Sequence, residues 1–317
     1  MTIHSTCLFC YQPLDGNQND FHTKCSRKIF NKPQLPEIPY SELDIHRLAQ
    51  NIIKSRVTIP GVQAKLSLSI EQTGRGNPAK FTLVGLWGNY IFKPPSDQYP
   101  YLPELEDLTM HLAEMVKIHT VPHSLVRFKS NSLAYITSRI DRIESRKLPM
   151  EDMCQLSGRL TEHKYYGSYE QIAKIILQYS ASPGLDIIRF FEQILFCYLT
   201  GNSDMHLKNF SIINQPGIGH VLSPAYDMVP SLLLIPEDQE ELALTLNGKK
   251  RNFTRKDFES FALHYEIEKK TLRFTFEQFS EAFASWFEFI KKSFLPEELK
   301  NKYIELIKDK SHKIGIP

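Results

Sequence analysis

The chain has 317 residues, of which 42% are apolar and 23% are charged, the ordinary balance of a globular protein. Its formal net charge of +2 provides no general basic field, which argues against direct, charge-driven binding of nucleic acid. The sequence contains no run of about 18 apolar residues, and its start, "MTIHSTCLFC", lacks the layout of a signal peptide. We therefore expect a cytoplasmic protein with reduced cysteines and no membrane contact.

Residues 1–40 are expected to form a small module that ends in a proline-rich linker. Cys7, Cys10, His22 and Cys25 give the spacing C-x2-C-x11-H-x2-C, whose two short intervals suit the two halves of a tetrahedral Zn²⁺ site. Because a module of this size has a small core, a bound metal ion would stabilise it. The alternative is three reduced structural cysteines and a surface histidine.

Residues 41–150 are predicted to form a β-rich lobe. Apolar and polar residues alternate in "KLSLSI", as in a half-buried strand, and "KFTLVGLWGNYIFK" predicts one or two further strands. The segments "SLVRF" and "LAYITSRI" predict a strand pair. One helix is predicted in "LPELEDLTMHLAEMVKI", where Leu105, Leu108, Leu112 and Val116 have helical spacing.

Residues 151–317 are predicted to form a larger, mainly helical lobe. Two strong helices are predicted in "YGSYEQIAKIILQYS" and "GLDIIRFFEQILFCYLT", and Thr254 is a suitable N-cap for a third. The segments "FSII" and "GHVLSPAYD" predict short strands. The predicted fold class is therefore α+β, with a small β-rich N-lobe and a larger helical C-lobe.

A dense group of polar residues, "GNSDMHLKNF", follows the most apolar predicted helix. It contains Asp204 and Asn209, and Asp227 follows after the predicted strand pair, which would bring the three side chains close together. Phosphoryl transfer needs such a set, because one carboxylate orients or deprotonates the acceptor hydroxyl while a second carboxylate and an amide oxygen hold Mg²⁺. The alternative is a polar turn and a structural aspartate.

Two further residues favour phosphoryl transfer. Lys93 ends the apolar strand "YIFK", where its charge could hold nucleotide phosphates, and Glu106 lies on the next predicted helix, where it could pair with that lysine. The alternatives are an edge lysine and a solvated helix face. Upstream, Gly61, Gln63 and Lys65 could offer backbone N–H groups and polar side chains to phosphates, although one glycine is not a typical phosphate loop.

The order of these motifs resembles the HipA-type toxin kinases, which look like two-lobed serine/threonine protein kinases. The most specific segments are "EDMCQ" and "GNSDMHLKNF", and the resemblance covers about residues 50–260. It implies a protein-kinase-like fold that uses ATP and Mg²⁺. Longer HipA proteins carry an additional N-terminal subdomain, so the chain looks like the short, split form called HipT.

The resemblance also implies a role for each matching residue. Asp204 matches the catalytic base, Asn209 and Asp227 match the Mg²⁺ ligands, and Lys93 and Glu106 match the phosphate-binding lysine and its partner. Ser138 and Ile140 match the strand that meets adenine through its backbone. His206 and Lys208 lie within the catalytic loop and could support it or contact the γ-phosphate.

The target and partners are likewise implied by the resemblance. The substrate would be an aminoacyl-tRNA synthetase, with the tryptophanyl enzyme favoured, and its phosphorylation would arrest growth. The expected partners are a HipB-like DNA-binding protein and a HipS-like small antitoxin, so any contact with DNA would be indirect. The family autophosphorylates the loop before Gly61, where the candidates here are Thr58 and, less well placed, Ser55.

Two functions compete with a toxin kinase. A catalytically silent protein could keep a kinase-like fold as an interaction scaffold. A small-molecule kinase of related fold would phosphorylate a metabolite or an antibiotic instead of a protein.

Overall fold

The computed structural model describes residues 5–16, 18–45, 47–48, 65–72, 74, 78–84, 87–143 and 146–317. The chain divides into two compact units, of which unit 1 comprises Met1–Asp107 and Val121–Ile140, and unit 2 comprises Leu108–Thr120 and Asp141–Pro317. The predicted boundaries after residues 40 and 150 stay predictions.

Unit 1 is built on a five-stranded antiparallel sheet with the order β2-β1-β3-β5-β4. The central strand, β3, therefore has a neighbour on each side. The strands are β1 (Leu66–Gln72), β2 (Ala79–Leu83), β3 (Tyr90–Lys93), β4 (His123–Arg127) and β5 (Leu133–Ser138).

The predicted alternation explains why β1 forms. Leu66 and Leu68 are buried while Ser67 and Ser69 are half-buried, so one face of the strand packs and the other is partly solvated. "KFTLVGLWGNYIFK" supplies two strands, β2 and β3, and the predicted pair "SLVRF" and "LAYITSRI" becomes the antiparallel pair β4 and β5.

One helix precedes the strands of this sheet in the sequence, and another lies between β3 and β4. Helix α1 (Thr23–Phe30) follows His22 and ends at Asn31, whose φ of 53° is the left-handed conformation typical of a helix C-terminus. Helix α2 (Leu102–Met115) includes the predicted apolar positions Leu105, Leu108 and Leu112, all of which are fully buried.

Unit 2 contains short strands and the larger helices. Strands β6 (Arg142–Ile143) and β7 (Arg146–Lys147) pair, and β8 (Met150–Asp152), β9 (Ser211–Gln215) and β10 (Gly219–Leu222) form a sheet in the order β10-β9-β8. The helices are α3 (Met153–Leu156), α4 (Tyr169–Tyr179), α5 (Pro183–Thr200), α6 (Ser231–Leu234), α7 (Arg255–His264), α8 (Lys269–Lys292) and α9 (Glu297–Lys313).

Large aromatic side chains fill the interior of unit 2, and Phe190, Phe196 and Trp286 are fully buried. The predicted N-cap Thr254 forms a capping box with Asp257 at the start of α7. Among the described residues, no helix has the length and apolar character needed to cross a membrane.

Candidate active site

The polar loop begins where helix α5 ends. Gly201 takes a φ of 68°, and its N–H donates to the carbonyls of Cys197 and Tyr198, which closes the helix. A Cβ at this position would lie 2.6 Å from the side chain of Leu306. The left-handed conformation therefore favours glycine, and any larger residue here would also have to displace the side chain of Leu306.

Loop 202–209 is held by hydrogen bonds among its own polar groups. The N–H of Asp204 donates to Asn202 Oδ1 (3.2 Å), and the carbonyl of Asp204 accepts from the N–H of His206 (2.8 Å). The N–H of Lys208 donates to His206 Nδ1 (3.3 Å), and that of Asn209 to the carbonyl of His206 (2.9 Å). His206 therefore orients the loop through both its side chain and its backbone.

Apolar residues of the same loop anchor it to the core. Met205, Leu207 and Phe210 are buried, and the Phe210 ring lies 5.1 Å from that of Phe190 in an edge-to-face arrangement. Because these residues point inward, the carboxylate of Asp204 stays exposed. The loop therefore presents one exposed carboxylate next to residues that are buried in the core.

Lys208 is tied to the segment "EDMCQ". Its Nζ lies 2.7 Å from Asp152 Oδ2, and the other oxygen of Asp152 accepts from the N–H of Gln155 (2.9 Å). The Gln155 side chain accepts in return from the N–H of Asp152 (3.0 Å), which completes a capping box at the start of α3. Asp152 thus caps a helix and pairs with the loop lysine.

A hairpin connects the loop to Asp227, as the sequence predicts. Strands β9 and β10 pair antiparallel, and the N–H of Ser223 donates to the carbonyl of Ser211 (2.9 Å), which extends the pairing. The hydroxyl of Tyr226 donates to the carbonyl of Lys208 (3.1 Å). The residue directly before Asp227 is therefore bonded to the 202–209 loop.

Asn209 and Asp227 have features expected of cation ligands. Asn209 Oδ1 is buried and accepts no hydrogen bond from any residue that the structure describes. A buried amide oxygen without a partner is unusual, and it is the type of ligand that Mg²⁺ takes together with carboxylates. Asp227 is half-buried with a φ of 63°, a left-handed conformation that aspartate tolerates better than most residues. This donor set fits a divalent cation.

Unit 1 holds the predicted lysine–glutamate pair. Lys93 Nζ lies 2.5 Å from Glu106 Oε1, and the side chains are 4% and 0% exposed. Lys93 Nζ also lies 5.3 Å from the centre of the Tyr135 ring, on the neighbouring strand. The lysine stands on a central strand and the glutamate is fully buried, so neither is a solvated surface residue.

The strand predicted to meet adenine is β5, but it ends at Ser138, so Ile140 lies two residues beyond it. The N–H of Ser138 donates to the carbonyl of Pro122 (2.9 Å), and that of Arg139 to the carbonyl of Asn89 (2.8 Å). Since these two donors are used within unit 1, a contact with adenine would need other backbone groups, such as the N–H of Ile140.

The predicted phosphate loop is only partly described. Lys65 is exposed and directly precedes β1. Gly61 and Gln63 lie outside the described residues, as do the predicted phosphorylation sites Thr58 and Ser55.

Three residues in contact with the loop escaped the sequence analysis. Tyr165 donates from its hydroxyl to Asp204 Oδ1 (2.5 Å), and its ring lies 5.0 Å from that of His206. Asp152 accepts from the side chain of Lys208, and the hydroxyl of Tyr226 donates to the Lys208 carbonyl. Only Asp152 had a readable signal, because D-x-x-Q before a short apolar segment is typical of a capping box.

Comparison with known proteins identifies the family. The family model described as the HipA-like C-terminal domain matches residues 57–287. The chain belongs to the HipA-like family. One relative, a putative kinase of Haemophilus influenzae, is 29% identical over 302 residues, and the match covers 84% of this chain and 84% of that protein.

A second relative, the serine/threonine-protein kinase toxin HipA of Shewanella oneidensis, is 26% identical over 225 residues. The match covers 62% of this chain and 48% of that protein, so this HipA-like chain aligns with about half of the toxin.

A solved structure shows the fold. In the complex of Shewanella oneidensis HipA with HipB and operator DNA, one chain matches with a TM-score of 0.65 and 20% identity. The match covers 84% of this chain and 70% of that chain. The predicted α+β class, with a β-rich and a helical part in a kinase-like fold, is therefore confirmed.

Proposed function

We propose that this HipA-like chain is an ATP- and Mg²⁺-dependent serine/threonine protein kinase that acts as the toxin of a toxin–antitoxin system. The observation that carries the proposal is the 202–209 loop. It combines the exposed carboxylate of Asp204 with the buried amide oxygen of Asn209, which has no hydrogen-bond partner among the residues that the structure describes. The named kinases among its relatives support the same reaction class.

In this reaction the chain positions the groups and moves one proton. Asp204 accepts the proton of the acceptor serine hydroxyl while the new oxygen–phosphorus bond forms and the bond between the γ-phosphorus and ADP breaks. Lys93, fixed by Glu106, donates to the nucleotide phosphates. A divalent cation held by Asn209 and Asp227 would neutralise the charge that develops on the phosphate oxygens.

The partners are proposed from the relatives. A HipA chain of Shewanella oneidensis has been solved with HipB and operator DNA, which supports a HipB-like partner here. With a net charge of +2, this chain would contact DNA through that partner. The finer assignment is the HipT-like form with a HipS-like small antitoxin and an aminoacyl-tRNA synthetase, the tryptophanyl enzyme first, as substrate.

Autophosphorylation belongs to the same proposal. Thr58 is the first candidate and Ser55 the second. A phosphate there adds about two negative charges beside a loop expected to bind the ATP phosphates. Repulsion between the two sets of charges would switch the kinase off.

The decisive experiment is incubation of the purified chain with γ-labelled ATP, Mg²⁺ and a panel of aminoacyl-tRNA synthetases. We expect label on one synthetase and on a peptide containing residues 55–65, with no transfer when EDTA removes the cation. Binding of ATP without transfer to any protein would contradict the proposal and favour a scaffold. Label on a metabolite alone would indicate a small-molecule kinase.

The hydrogen bond from Tyr165 to Asp204 leads to a separate prediction. Burial raises the pKa of Tyr165 most, and the nearby carboxylate of Asp204 raises it further. The phenol of Tyr165 therefore stays protonated and donates at neutral pH. Tyr165→Phe removes a bond to a charged group and should lower kcat by about 10-fold while leaving the KM for ATP unchanged. Steady-state kinetics checks this split.

The neighbouring tyrosine supplies the matched control. Tyr166 is 67% exposed and its ring stacks on that of His163, 5.5 Å away. Tyr166→Phe should therefore keep the wild-type kcat. Equal kcat values for the two variants would mean that the Tyr165 hydroxyl does not position Asp204.

A further inference from the structure

Four potential metal ligands converge in the N-terminal part of unit 1. The sulfurs of Cys7, Cys10 and Cys25 and a ring nitrogen of His22 all lie within 4.8 Å of one another. His22 Nδ1 is 3.4 Å from Cys10 Sγ and 3.7 Å from Cys25 Sγ. In a tetrahedral zinc site, with bonds of about 2.3 Å to sulfur and about 2.0 Å to nitrogen, neighbouring ligand atoms lie about 3.5–3.8 Å apart. The two nitrogen–sulfur spacings, 3.4 and 3.7 Å, match such a site.

His22 is already oriented as a ligand. Its Nε2 lies 2.9 Å from the carbonyl oxygen of Pro13, and because a carbonyl can only accept, Nε2 carries the proton. Nδ1 then directs its lone pair towards the sulfurs of Cys10 and Cys25. This lone pair can accept a hydrogen bond from only one of the two thiols, whereas a metal ion would be coordinated by Nδ1 and by both sulfurs. Metal-binding histidines are typically fixed in this way by a backbone carbonyl.

The backbone positions both ligand pairs without help from their side chains. The N–H of Tyr11 donates to the carbonyl of Cys7 (2.9 Å), which closes the turn that carries Cys7 and Cys10. His22 is the N-cap of α1, and the N–H of Cys25 donates to the carbonyl of His22 (2.9 Å). Each pair is therefore presented by a compact turn.

An unfavourable backbone conformation occurs beside the first pair. Tyr11, next to Cys10, has a φ of 57°, whereas Asp20, two residues before His22, has a φ of 60° that aspartate adopts more readily. A left-handed conformation costs free energy in residues other than glycine and persists only where the surroundings impose it. A metal ion that joins the two turns would supply this constraint.

We propose that Cys7, Cys10, His22 and Cys25 bind one Zn²⁺ ion, and that this ion fixes the N-terminal module, residues 5–16 and 18–30, on the sheet of unit 1. Nitrogen and sulfur ligands in a Cys₃His set are typical of structural zinc sites. The cysteines are free thiols, so no disulfide competes for the sulfurs. The proposal does not depend on kinase activity.

The turns that carry the ligands also make the contacts with the sheet and α2. The hydroxyl of Tyr11 donates to Asp107 Oδ2 (2.8 Å), and both side chains are buried. Arg127 Nε donates to Asp20 Oδ1 (2.8 Å), with side-chain exposures of 12% and 10%. Tyr11 adjoins a ligand and Asp20 lies two residues from one, so loss of the ion should loosen both contacts.

Aromatic packing continues this interface along α1. The Phe30 ring lies 5.5 Å from that of Phe21 and 5.6 Å from that of Phe81 on β2, both edge to face. The hydroxyl of Tyr90 on β3 donates to the carbonyl of Ile29 (3.1 Å). The zinc ion at one end of α1 and these contacts at the other would hold the helix on the sheet.

The first test is the metal content of the full chain, purified under reducing conditions without chelators. We expect one zinc ion per chain, and cobalt(II) in its place should give thiolate charge-transfer bands and the strong visible bands of a tetrahedral site. A chain that contains no zinc and gives no such cobalt bands would overturn the proposal.

Variants assign the ligands. Cys10→Ser and His22→Ala change the two less buried ligands, so the chain is expected to fold, and each should lower zinc affinity by more than about 10-fold in a chelator competition. Cys197→Ala is the matched control, because Cys197 is a buried cysteine in α5, outside the cluster. Equal zinc affinity in all three variants would exclude this ligand set.

Hydrogen exchange tests whether the ion fixes the module. The N–H of Leu8 donates to the carbonyl of Asp20 (2.8 Å), which joins the two turns. Removal of zinc from the full chain should speed exchange at Leu8 and Tyr11, while exchange in helix α5 stays unchanged. Unchanged exchange at Leu8 and Tyr11 after complete zinc removal would refute the stabilising role.

Discussion

Asp204→Asn should lower the rate of phosphotransfer by about 10²–10⁴-fold, the usual contribution of a general base. Asparagine has the same shape but cannot accept the proton of the serine hydroxyl at neutral pH. Its amide oxygen can still accept from Tyr165, so the loop should keep its structure. Single-turnover transfer of labelled phosphate to the substrate protein measures the effect, and growth arrest on expression should be lost in parallel.

The control is the same substitution on an exposed helix. Asp309 is exposed on α9, so Asp309→Asn should retain wild-type transfer and toxicity. Wild-type transfer by Asp204→Asn would show that the base lies elsewhere.

Asp227→Asn tests whether Asp227 acts as the proposed cation ligand and Asp204 as the proposed base. Asparagine tolerates the left-handed conformation that Asp227 adopts, so the backbone should be unchanged. Removing one carboxylate charge should weaken cation binding, and the Mg²⁺ concentration needed for half-maximal transfer should rise. Asp204→Asn should leave that concentration unchanged, and the same Mg²⁺ dependence in both variants would contradict the division of roles.

The secondary structure around the site was readable because it depends on local patterns. Alternation in "KLSLSI" predicted β1, and the spacing of Leu105, Leu108 and Leu112 predicted α2. Thr254 was predicted as an N-cap, and the aspartate three residues later completes a capping box with it. In each case a few neighbouring residues decide the outcome.

The missing parts of the site come from contacts between distant segments. Tyr165 reaches Asp204 across 39 positions, and Lys208 reaches Asp152 across 56. Such contacts depend on how β8, β9 and the 202–209 loop pack, and no spacing in the sequence encodes that packing. The pattern of three cysteines and one histidine was partly predictable. Its two short intervals were visible in the sequence, but whether the two halves lie close together across the 11 residues between them depends on the fold.

Lys93→Met should lower the free energy of unfolding by about 3–5 kcal/mol. The substitution keeps an apolar stem in the central strand but leaves Glu106, which is 0% exposed, as a buried charge without its cation. Adding Glu106→Leu removes that charge, so the double variant should recover most of the lost stability. Denaturant unfolding of the wild type, the two single variants and the double variant gives the coupling energy of the pair.

An exposed pair of the same residue types provides the control. Lys302 Nζ lies 2.7 Å from Glu298 Oε1 on α9, but the side chains are 59% and 79% exposed. Lys302→Met should change stability by less than about 1 kcal/mol, because water already solvates both charges. A similar small change in Lys93→Met would mean that Glu106 is not held as a desolvated anion.

The double variant also separates stability from catalysis. Its fold should be close to the wild type, yet it lacks Lys93, the residue proposed to hold the nucleotide phosphates, so phosphotransfer should be lost. If the restored protein phosphorylates its substrate at the wild-type rate, Lys93 acts only in packing. If the double variant regains stability but not activity, the buried pair is needed for the reaction and not for stability, because an apolar pair stabilises the fold equally well.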